Sequence, residues 1–224
     1  MRVTVQIPMK GNSERVPMKN LREVAGKPLF AHLMDKLVGH VPDNWNIVVS
    51  TESEDVVTAV RNRYPNVGIH MLSDWYAKNA TGNHLLSHFA AQFPDADVYI
   101  QAFVTAPNLT LESLINLVDA ISGSSKYDSA TFVTEEYGWF WFNGDPVNYD
   151  PTRMDGLPRS QDAPVFKETT GAYAVRRNAL FATGCRLPSP SALVPIGRKE
   201  AVDIDTMYDL QLFELEYKER PDSD

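Results

Sequence analysis

Three cations flank a Gly-Asn-Ser sequence near the beginning of the chain. Lys10, Arg15 and Lys19 lie in the segment QIPMKGNSERVPMKN, which follows the apolar stretch VTVQI. The whole chain carries a net charge of -8, so these cations are not part of a generally basic surface. A loop after a strand and before a helix, here one predicted to begin near Pro28, binds anions through backbone N–H groups and the helix dipole. We predict that this loop binds phosphate groups.

The loop matches neither of the two common phosphate-binding motifs. After Gly11 there is no second glycine followed by Lys-Ser or Lys-Thr, and there is no G-x-G-x-x-G sequence. The alternative interpretation is a solvated loop whose cations balance nearby acids. The glycine and the position after a strand favour a binding loop.

Two carboxylates near the other end of the chain form a second candidate site. In EAVDIDTMYDL, Asp203 and Asp205 alternate with Ile204 on a predicted strand end, which places both carboxylates on one side. Thr206 can cap the following helix. Paired carboxylates suit Mg²⁺, whose remaining ligands are waters and substrate phosphates. The alternative is a helix start with acids near its positive end, the role that we assign to Asp209.

Composition limits the classes of protein to consider. The 224 residues, 43% of them hydrophobic and 22% charged, fit one ordinary globular domain. The negative charge argues against a nucleic-acid-binding protein, because that binding needs cationic surface. The single cysteine, Cys185, excludes an intrachain disulfide, and the sequence has neither a secretory signal nor a membrane-spanning run. We expect a cytoplasmic protein without a membrane or nucleic-acid partner.

The elements that must position these residues alternate between strands and helices. Short β-branched runs and amphipathic stretches follow one another from VTVQI to DSATFVT, which predicts an α/β fold with a mainly parallel sheet flanked by helices. In such folds the loops at the carboxyl ends of the strands carry the site. The last helix, TMYDLQLFELEYKER, is expected to bury Met207, Leu210, Leu212, Phe213 and Leu215.

One region differs from the rest of the chain in composition. About residues 135–168 the sequence is rich in aromatic and turn residues, which predicts hairpins or an extended arm. We expect a single domain over residues 1–224, in which this insertion is a dimerisation or lid element.

These motifs resemble those of a known family. The segment IPMKGNSERVPMKNLREVAGKPLFAH resembles the signature of CMP-sugar synthetases, the acylneuraminate and Kdo-type cytidylyltransferases, which runs Pro-x-Arg/Lys-x-x-Ser-x-x-x-Pro-x-Lys-Asn followed by Gly-Lys-Pro-Leu. YIQAFVTAP, LPRSQDAPVFKETTGAY and VDIDTMYDL are similar to later family segments, so the resemblance covers nearly the whole chain. It implies a Rossmann-like nucleotidyltransferase fold and a homodimer in which an arm of one subunit reaches toward the other's site.

The resemblance also implies a reaction and a role for each candidate residue. The reaction is transfer of CMP from CTP to the anomeric hydroxyl of an acidic sugar, with Mg²⁺ and release of pyrophosphate. The residues implied to bind the nucleotide are Lys10, Gly11, Asn12, Ser13, Arg15, Lys19, Asn20, Thr81 and Gln101. Lys19, Asp203 and Asp205 are the implied catalytic residues, and the two aspartates are the metal ligands. The residues assigned to the acceptor are Gln101, Arg159, Gln161 and Arg186.

Departures from the family pattern leave the acceptor open. Glu14 occupies a position where a lysine is common, Thr170-Gly171 replaces an Asn-Gly, and Arg186 and Leu187 occupy positions where sialic-acid enzymes have aromatic residues. An extra cation fits a sialic-acid-like nonulosonic acid, Kdo or a phosphonate. A related enzyme that uses another nucleotide, and a non-catalytic nucleotide-binding protein, are the remaining alternatives. The second of these predicts damage to the loop or to the aspartate pair, and both are intact.

Overall fold

A computed structural model describes residues 1–123, 126–154 and 157–219. The strands in these ranges are β1 (Val3–Pro8), β2 (Glu23–Val24), β3 (Lys27–Pro28), β4 (Trp45–Thr51), β5 (Gly68–Met71), β6 (Val98–Ala102), β7 (Ser129–Glu136), β8 (Trp141–Phe142), β9 (Asp145–Pro146), β10 (Val165–Arg176) and β11 (Ser191–Pro195). The helices are α1 (Leu29–Leu37), α2 (Glu54–Arg63), α3 (Asp74–Asn79), α4 (Gly82–Gln92), α5 (Leu111–Ser122), α6 (Arg177–Thr183) and α7 (Met207–Lys218).

Seven strands form one mixed sheet in the order β11-β7-β10-β6-β1-β4-β5. The block β6-β1-β4-β5 is parallel throughout, and β11 is parallel to β7. β10 runs antiparallel to both of its neighbours. Helical connections between the parallel strands are the pattern of a doubly wound α/β fold. The predicted fold class, a mainly parallel Rossmann-like sheet flanked by helices, is confirmed.

The sheet is covered on both faces, which explains why its central strands are almost entirely apolar. Alternate residues of β1, including Val5 and Ile7, pack with α1, α2 and α5 in the larger hydrophobic cluster. On the opposite face Val48 and Tyr99 pack with Phe89 of α4 in a smaller cluster. Gln6 and Gln101 also lie in central strands and are buried, so they are polar exceptions within an apolar layer.

Side-chain caps fix where several helices begin. Ser53, Thr110 and Thr206 each accept a hydrogen bond from a backbone N–H in the first turn of α2, α5 and α7. Asp209 completes a capping box with Thr206. Burial disfavours the charged form of Asp209, but hydrogen bonds from Thr206 outweigh it and keep the pKa of this carboxyl below its usual value. The roles predicted for Thr206 and Asp209 are confirmed.

The predicted helix near Pro28 is confirmed, since α1 begins at Leu29 with Pro28 as its N-cap. A 3-10 turn at Lys19–Leu21 and the small hairpin β2–β3 lie between the cationic loop and this helix. The predicted apolar face of α7 was too wide, since Leu210 and Phe213 are buried whereas Leu212 and Leu215 are 43% and 60% exposed. α7 contacts the rest of the protein along a narrow strip, and the sequence period does not reveal the width of that strip.

The aromatic region forms the predicted hairpin. β8 and β9 pair antiparallel across a two-residue turn, in which Asn143 and Gly144 have positive φ values. This geometry is typical of tight hairpins, and Asn-Gly is their preferred sequence. The large apolar side chains exposed in residues 135–168 are Tyr137, Trp139, Trp141, Phe142, Val147, Met154, Leu157 and Phe166. No helix in the described ranges is long and apolar enough to cross a membrane.

Candidate active site

A cavity of about 870 Å³ opens at the carboxyl ends of β1, β4 and β6. Its wall includes the cationic loop, Glu52 after β4 and residues 103–105 after β6. The cavity also contains Asp203 and Asp205, although they lie nearly the whole chain length away from the loop. The strand ends of the parallel block thus carry the candidate site, as the sequence predicted.

The cationic loop is held in shape by hydrogen bonds to its backbone. Asn20, which is buried, donates from Nδ2 to the Lys10 carbonyl at 2.9 Å, and the Gly11 N–H donates to Glu52 Oε1 at 2.9 Å. A Cβ atom at Gly11 would lie 2.4 Å from Ser53 Cβ, so a side chain there would push the loop away from α2. Lys10, Asn12, Ser13 and Arg15 line the cavity from this loop.

Asp205 neutralises two of the loop cations. Its carboxylate accepts two hydrogen bonds from the Arg15 guanidinium, at 2.9 and 3.0 Å, and lies 3.3 Å from Lys19 Nζ. Lys19 Nζ also donates to the Ile204 carbonyl at 2.7 Å. Planar, two-point pairing between a guanidinium and an oxyanion is the geometry that also recognises phosphate. In this structure the carboxylate therefore occupies a position suited to an anionic ligand of Arg15 and Lys19.

A small apolar cluster joins the loop to the aspartate segment. Its buried members are Val16, Val24, Leu29, Ile204, Leu210 and Phe213. Val16 comes from the cationic loop and Ile204 from between the two aspartates, while Leu210 and Phe213 belong to α7. We call this set the joining cluster. It explains how residues 190 positions apart come to share one carboxylate–guanidinium contact.

The segment Val202–Asp205 is irregular, and the prediction of a strand end was wrong. The Ile204 N–H donates to the Thr105 carbonyl at 2.7 Å, but no strand ladder forms. Ile204 is buried in the joining cluster, whereas Asp203 and Asp205 on either side of it both line the cavity. The alternation of side chains, and not sheet pairing, is what places them together.

Asp203 has the features of a cation ligand. Its Oδ2 accepts a hydrogen bond from the Thr170 hydroxyl, and its Oδ1 is buried without a hydrogen-bond partner in the described part of the chain. A buried carboxylate oxygen without a partner is costly, and a divalent cation removes that cost. Asp203 and Asp205 together offer the one or two carboxylates with which Mg²⁺ is usually held, so this donor set fits the ion. No cluster of three or more possible metal ligands occurs among the described residues.

Arg186 also lines the cavity, and it comes from the segment between α6 and β11. Its guanidinium carbon lies 3.7 Å from the centre of the Tyr173 ring, and its Nη1 donates to Gln101 Oε1 at 2.7 Å. A Cβ atom on Gly82 would lie 2.0 Å from this Nη1, so glycine is required for so close an approach. The Tyr173 hydroxyl donates to Glu168 Oε1 at 2.6 Å. Burial together with this hydrogen bond raises the pKa of Tyr173 to about 12.

The five cations that line the cavity divide into paired and unpaired groups. Arg15 and Lys19 are paired with Asp205, and Lys78 is paired with Asp74. Lys10 and Arg186 form no salt bridge within the ranges that the structure describes. Two unpaired cations from separate segments of one cavity wall indicate a ligand with at least two anionic groups, or two anionic ligands.

Five of the predicted site residues lie outside the cavity wall. Gly11 donates its N–H to Glu52, Thr81 caps α4, and Gln101 is buried behind Arg186. Arg159 and Gln161 are exposed on the region 135–168 and do not line this cavity. The contacts predicted for these five residues stay predictions.

The structure adds residues that sequence reasoning missed. Glu52 holds the Gly11 amide and has a second, buried oxygen without a partner among the described residues. Thr170 holds Asp203, which gives a structural role to one of the departures in the sequence. Tyr173 supports Arg186. Glu52 could have been predicted from the sequence, because it directly follows the buried strand β4. Thr170 and Tyr173 lie within β10, where no sequence signal marks them as site residues.

Comparison with known proteins identifies relatives along the whole chain. The sequence profile described as Cytidylyltransferase matches residues 4–183. A pseudaminic acid cytidylyltransferase from Campylobacter jejuni is 26% identical over 95% of this chain and 94% of its own length. The N-acylneuraminate cytidylyltransferase A of Danio rerio is 22% identical over 92% of this chain and 49% of its own length.

Solved structures share the fold. A CMP:2-keto-3-deoxy-manno-octonic acid synthetase complexed with CTP superposes with a TM-score of 0.73 at 18% identity, over 98% of this chain and 100% of that chain. A 4-diphosphocytidyl-2C-methyl-D-erythritol synthase from Anaerococcus prevotii superposes with a TM-score of 0.67 at 14% identity, over 98% and 99% of the two chains.

Proposed function

The chain belongs to the cytidylyltransferase family, and from this we propose that it transfers CMP from CTP to the anomeric hydroxyl of an acidic, sialic-acid-like nonulosonic sugar. The single observation that carries the proposal is the meeting of the cationic loop with Asp203 and Asp205 in one cavity at the strand ends. The two relatives named for pseudaminic acid and N-acylneuraminate support the acceptor class.

The nucleotide half of the site consists of the loop and the aspartates. In the proposed complex, Lys10, Arg15 and Lys19 bind the triphosphate, and Ser13 with the Asn12 amide surrounds phosphate oxygens, while Gly11 keeps its N–H on Glu52 and lets the loop lie close to α2. Arg15 and Lys19 exchange the Asp205 carboxylate for phosphate oxygens, since both anions suit the same guanidinium geometry. Asn20 and Thr81 are proposed at the ribose or base, although their hydrogen bonds in this structure serve the loop and the start of α4.

The exchange releases Asp205 to act with Asp203 as a pair of Mg²⁺ ligands. The partnerless Oδ1 of Asp203 is the observation that favours this role. When bound, the ion supplies charge stabilisation to the phosphate oxygens and helps to orient the reactants. The Thr170 hydroxyl donates to the other oxygen of Asp203, Oδ2, so Oδ1 is the oxygen that remains for the ion.

The protein's own residues act mainly through position and charge. The acceptor hydroxyl gives its proton to the surrounding water as its oxygen forms a bond to the α-phosphorus, and the bond to the leaving pyrophosphate breaks. The phosphate of the transferred CMP carries negative charge throughout. Lys19 is held rigidly by the Ile204 carbonyl, so its ammonium is preorganised to stabilise that charge. A cation that is already fixed in place does not need to reorganise during the reaction.

Arg186 and Gln101 are proposed on the acceptor side. Arg186 lines the cavity and has no carboxylate partner in the described chain, so it suits the carboxylate of an acidic sugar. The same cation also fits Kdo or a phosphonate, and the acceptor screen below distinguishes these possibilities. A non-catalytic nucleotide-binding protein is disfavoured because every predicted charged residue of the nucleotide half is present.

We also propose a homodimer in which residues 135–168 complete the partner's site. The region exposes large aromatic side chains, among them Trp141 and Phe142 on the β8–β9 hairpin. Exposed apolar surface of this kind is typical of interaction sites. In this arrangement Arg159 and Gln161 reach the acceptor of the partner subunit, which accounts for their position outside the cavity of their own chain. We place the enzyme in the cytoplasm, because its single cysteine suits a reducing compartment.

The test is a pyrophosphate-release screen with Mg²⁺, in which each of the four nucleoside triphosphates is combined with acidic sugars and phosphonates. We expect release with CTP and a nonulosonic acid, and none from the double variant Asp203→Asn, Asp205→Asn. The matched control is Asp74→Asn, which removes a cavity carboxylate from outside the proposed ligand pair. Release that requires another nucleotide, or that persists in the double variant, would refute the proposal.

A further inference from the structure

Four buried polar side chains cross the sheet behind the cavity in one continuous chain of hydrogen bonds. Gln101, Gln6, Ser50 and His70 come from the neighbouring strands β6, β1, β4 and β5. The distances are 2.8 Å from Gln101 Nε2 to Gln6 Oε1, 3.0 Å from Gln6 Nε2 to Ser50 Oγ, and 3.0 Å from Ser50 Oγ to His70 Nδ1. All four side chains are at most 3% exposed. We call them the polar chain.

The surroundings of the polar chain determine how its two amides are oriented. Gln101 Nε2 donates to Gln6 Oε1 and to the Gly82 carbonyl, and Gln6 Nε2 donates to Ser50 Oγ and to the Leu85 carbonyl. Each amide nitrogen thus has two acceptors, and a flipped amide would place its oxygen against a backbone carbonyl oxygen, that of Gly82 for Gln101 and that of Leu85 for Gln6. The oxygen of Gln101 is consequently left to face Arg186, from whose Nη1 it accepts a hydrogen bond.

The far end of the polar chain is consistent with this direction of donation. Burial, with a smaller contribution from His88, lowers the pKa of His70 to about 4, so His70 is neutral at physiological pH. A neutral ring can accept the Ser50 hydroxyl hydrogen at Nδ1, and Ser50 then accepts from Gln6. In the tautomer whose Nδ1 accepts, every group from Arg186 to His70 donates to the next, so each one fixes its neighbour.

Arg186 depends on this arrangement because few other contacts place it. Its guanidinium stacks on Tyr173 and forms its hydrogen bond with Gln101, and no salt bridge holds it within the described part of the chain. A guanidinium carries five N–H donors, so most of them remain for a ligand. If Gln101 turned its amide nitrogen toward the cavity, a donor would face the cation and Arg186 would leave the Tyr173 ring.

We propose that Gln6 is a positioning residue for acceptor binding, although it does not line the cavity. Through Gln101 it holds the Arg186 guanidinium against Tyr173, ready to bind the anionic group of the acceptor sugar. The acceptor part of this inference rests on the proposed function, whereas the placement of Arg186 by Gln6 does not. The central strand β1 thereby contributes to both halves of the site, since the loop that follows it binds the nucleotide.

The first experiment measures the position of Arg186 without any substrate. A guanidinium above an aromatic ring has ring-current-shifted protons, so the Arg186 Nε–Hε signal in a ¹H–¹⁵N spectrum should lie upfield, and Arg186→Lys identifies it by its loss. We expect Gln6→Met to move this signal to the range of exposed arginines. Ser50→Ala, which removes one acceptor of Gln6 and leaves its volume intact, should produce a smaller shift in the same direction.

The matched control is Val5→Ala. Val5 is adjacent on β1 and fully buried, but it faces the larger hydrophobic cluster on the other side of the sheet. It should lower stability without moving the Arg186 signal. A signal that stays in place in Gln6→Met, or that moves equally in Val5→Ala, would overturn the placement of Arg186 by Gln6.

The second experiment is a kinetic double-mutant cycle with the acceptor found by the screen. Gln6→Met should raise the acceptor KM about tenfold with little change in the KM for CTP, a size typical of coupled neighbours in such cycles. Because Gln6 acts through Arg186, the double variant Gln6→Met, Arg186→Met should be no worse than Arg186→Met alone. Additive effects, or an equal rise in the KM for CTP, would overturn the acceptor role. If the wild-type protein releases no pyrophosphate, the proposed function fails, while the spectrum still decides whether Gln6 places Arg186.

Discussion

At the scale of single residues, Asp205 has two incompatible partnerships. In this structure it pairs with Arg15 and Lys19, whereas in the proposed complex the phosphates take those cations and Asp205 binds Mg²⁺. The pair with Arg15 is largely exposed, so its contribution to stability is small. The carboxylate holds the two cations in place while no ligand is bound.

This competition predicts opposite effects of one substitution under two conditions. In EDTA, Asp205→Asn should bind CTP more tightly than the wild-type protein, because the competing carboxylate is gone. With Mg²⁺ it should bind CTP more weakly, and turnover should fall by orders of magnitude because a charge-stabilising centre is lost. Calorimetry under both conditions and pyrophosphate release provide the measurements. Affinities that change in the same direction with and without metal would contradict the exchange.

Lys19 gives a second residue-scale prediction. Its side chain is nearly buried and bonded to the Ile204 carbonyl, so it is fixed toward the cavity. Lys19→Met should lower the affinity for CTP by about tenfold or more, since charge-assisted bonds to phosphate are roughly twice as strong as neutral ones. Lys218→Ala is the control, because Lys218 forms an exposed pair with Glu214 on α7. Equal CTP affinities for the two variants would indicate that the loop is a solvated charge cluster.

The meeting of the cationic loop with Asp203 and Asp205 could be anticipated because each of these two segments has a local sequence signal. The loop cations lie together after a strand, and the aspartates alternate around one apolar residue. The polar chain has no such signal, since its four members come from four separate strands. A glutamine in an apolar strand acquires its role from the neighbours that the sheet order brings beside it. That order is a property of the tertiary structure.

At the scale of elements, α7 shows where periodicity is informative and where it is not. The sequence predicted that the helix exists and where it is capped, and both predictions are confirmed. The buried strip is narrower than predicted, because α7 packs through Leu210 and Phe213 against the joining cluster and the His32 ring, whose centre lies 5.1 Å from that of Phe213. Leu212 and Leu215 satisfy the same period but point to solvent.

The narrow strip predicts a large difference between two substitutions on α7. Phe213 is 1% exposed, so Phe213→Ala should lower the free energy of unfolding by about 3–5 kcal/mol, as expected for a buried aromatic ring. Leu215→Ala should change it by less than about 0.5 kcal/mol because the side chain is at the surface. Urea unfolding measures both values. Similar losses for the two variants would show that the Leu215 side of α7 is covered in solution.

At the scale of the whole molecule, two buried histidines make the stability of the fold depend on pH. His32 of α1 donates from Nε2 to the Val24 carbonyl, and His70 belongs to the polar chain. Burial is the main cause that lowers the pKa of each to about 4, and the cations Lys27 and Lys36 also act on His32. Both rings are therefore neutral in the folded protein above that pH.

The lowered pKa values predict a loss of stability in mild acid. Unfolding returns each histidine to an ordinary pKa near 6.5, so between about pH 6.5 and 4 the unfolded state binds more protons than the folded state. The free energy of unfolding should be constant above pH 6.5 for these groups and decrease as the pH falls toward 4. The decrease is up to about 3 kcal/mol per histidine, since a pKa difference of one corresponds to about 1.4 kcal/mol.

Urea unfolding from pH 7.5 to 4.5 measures this dependence. His32→Phe and His70→Leu should each remove part of the slope between pH 6.5 and 4.5. Leu33→Met, a core change beside His32, should lower stability at all pH values and leave the slope as it is. If both histidine variants retain the full wild-type slope, other groups cause the acid sensitivity.

The joining cluster has a consequence for how the protein matures during synthesis. Val16 and the loop around it leave the ribosome early, but Ile204, Leu210 and Phe213, which hold that loop, are translated almost two hundred residues later. Until then the nascent chain presents Arg15 and Lys19 without the carboxylate that neutralises them. The sheet can form while the nucleotide half is still incomplete. Premature termination before α7 would therefore release a folded but inactive α/β core with an uncovered apolar cluster, a species that chaperones and proteases recognise.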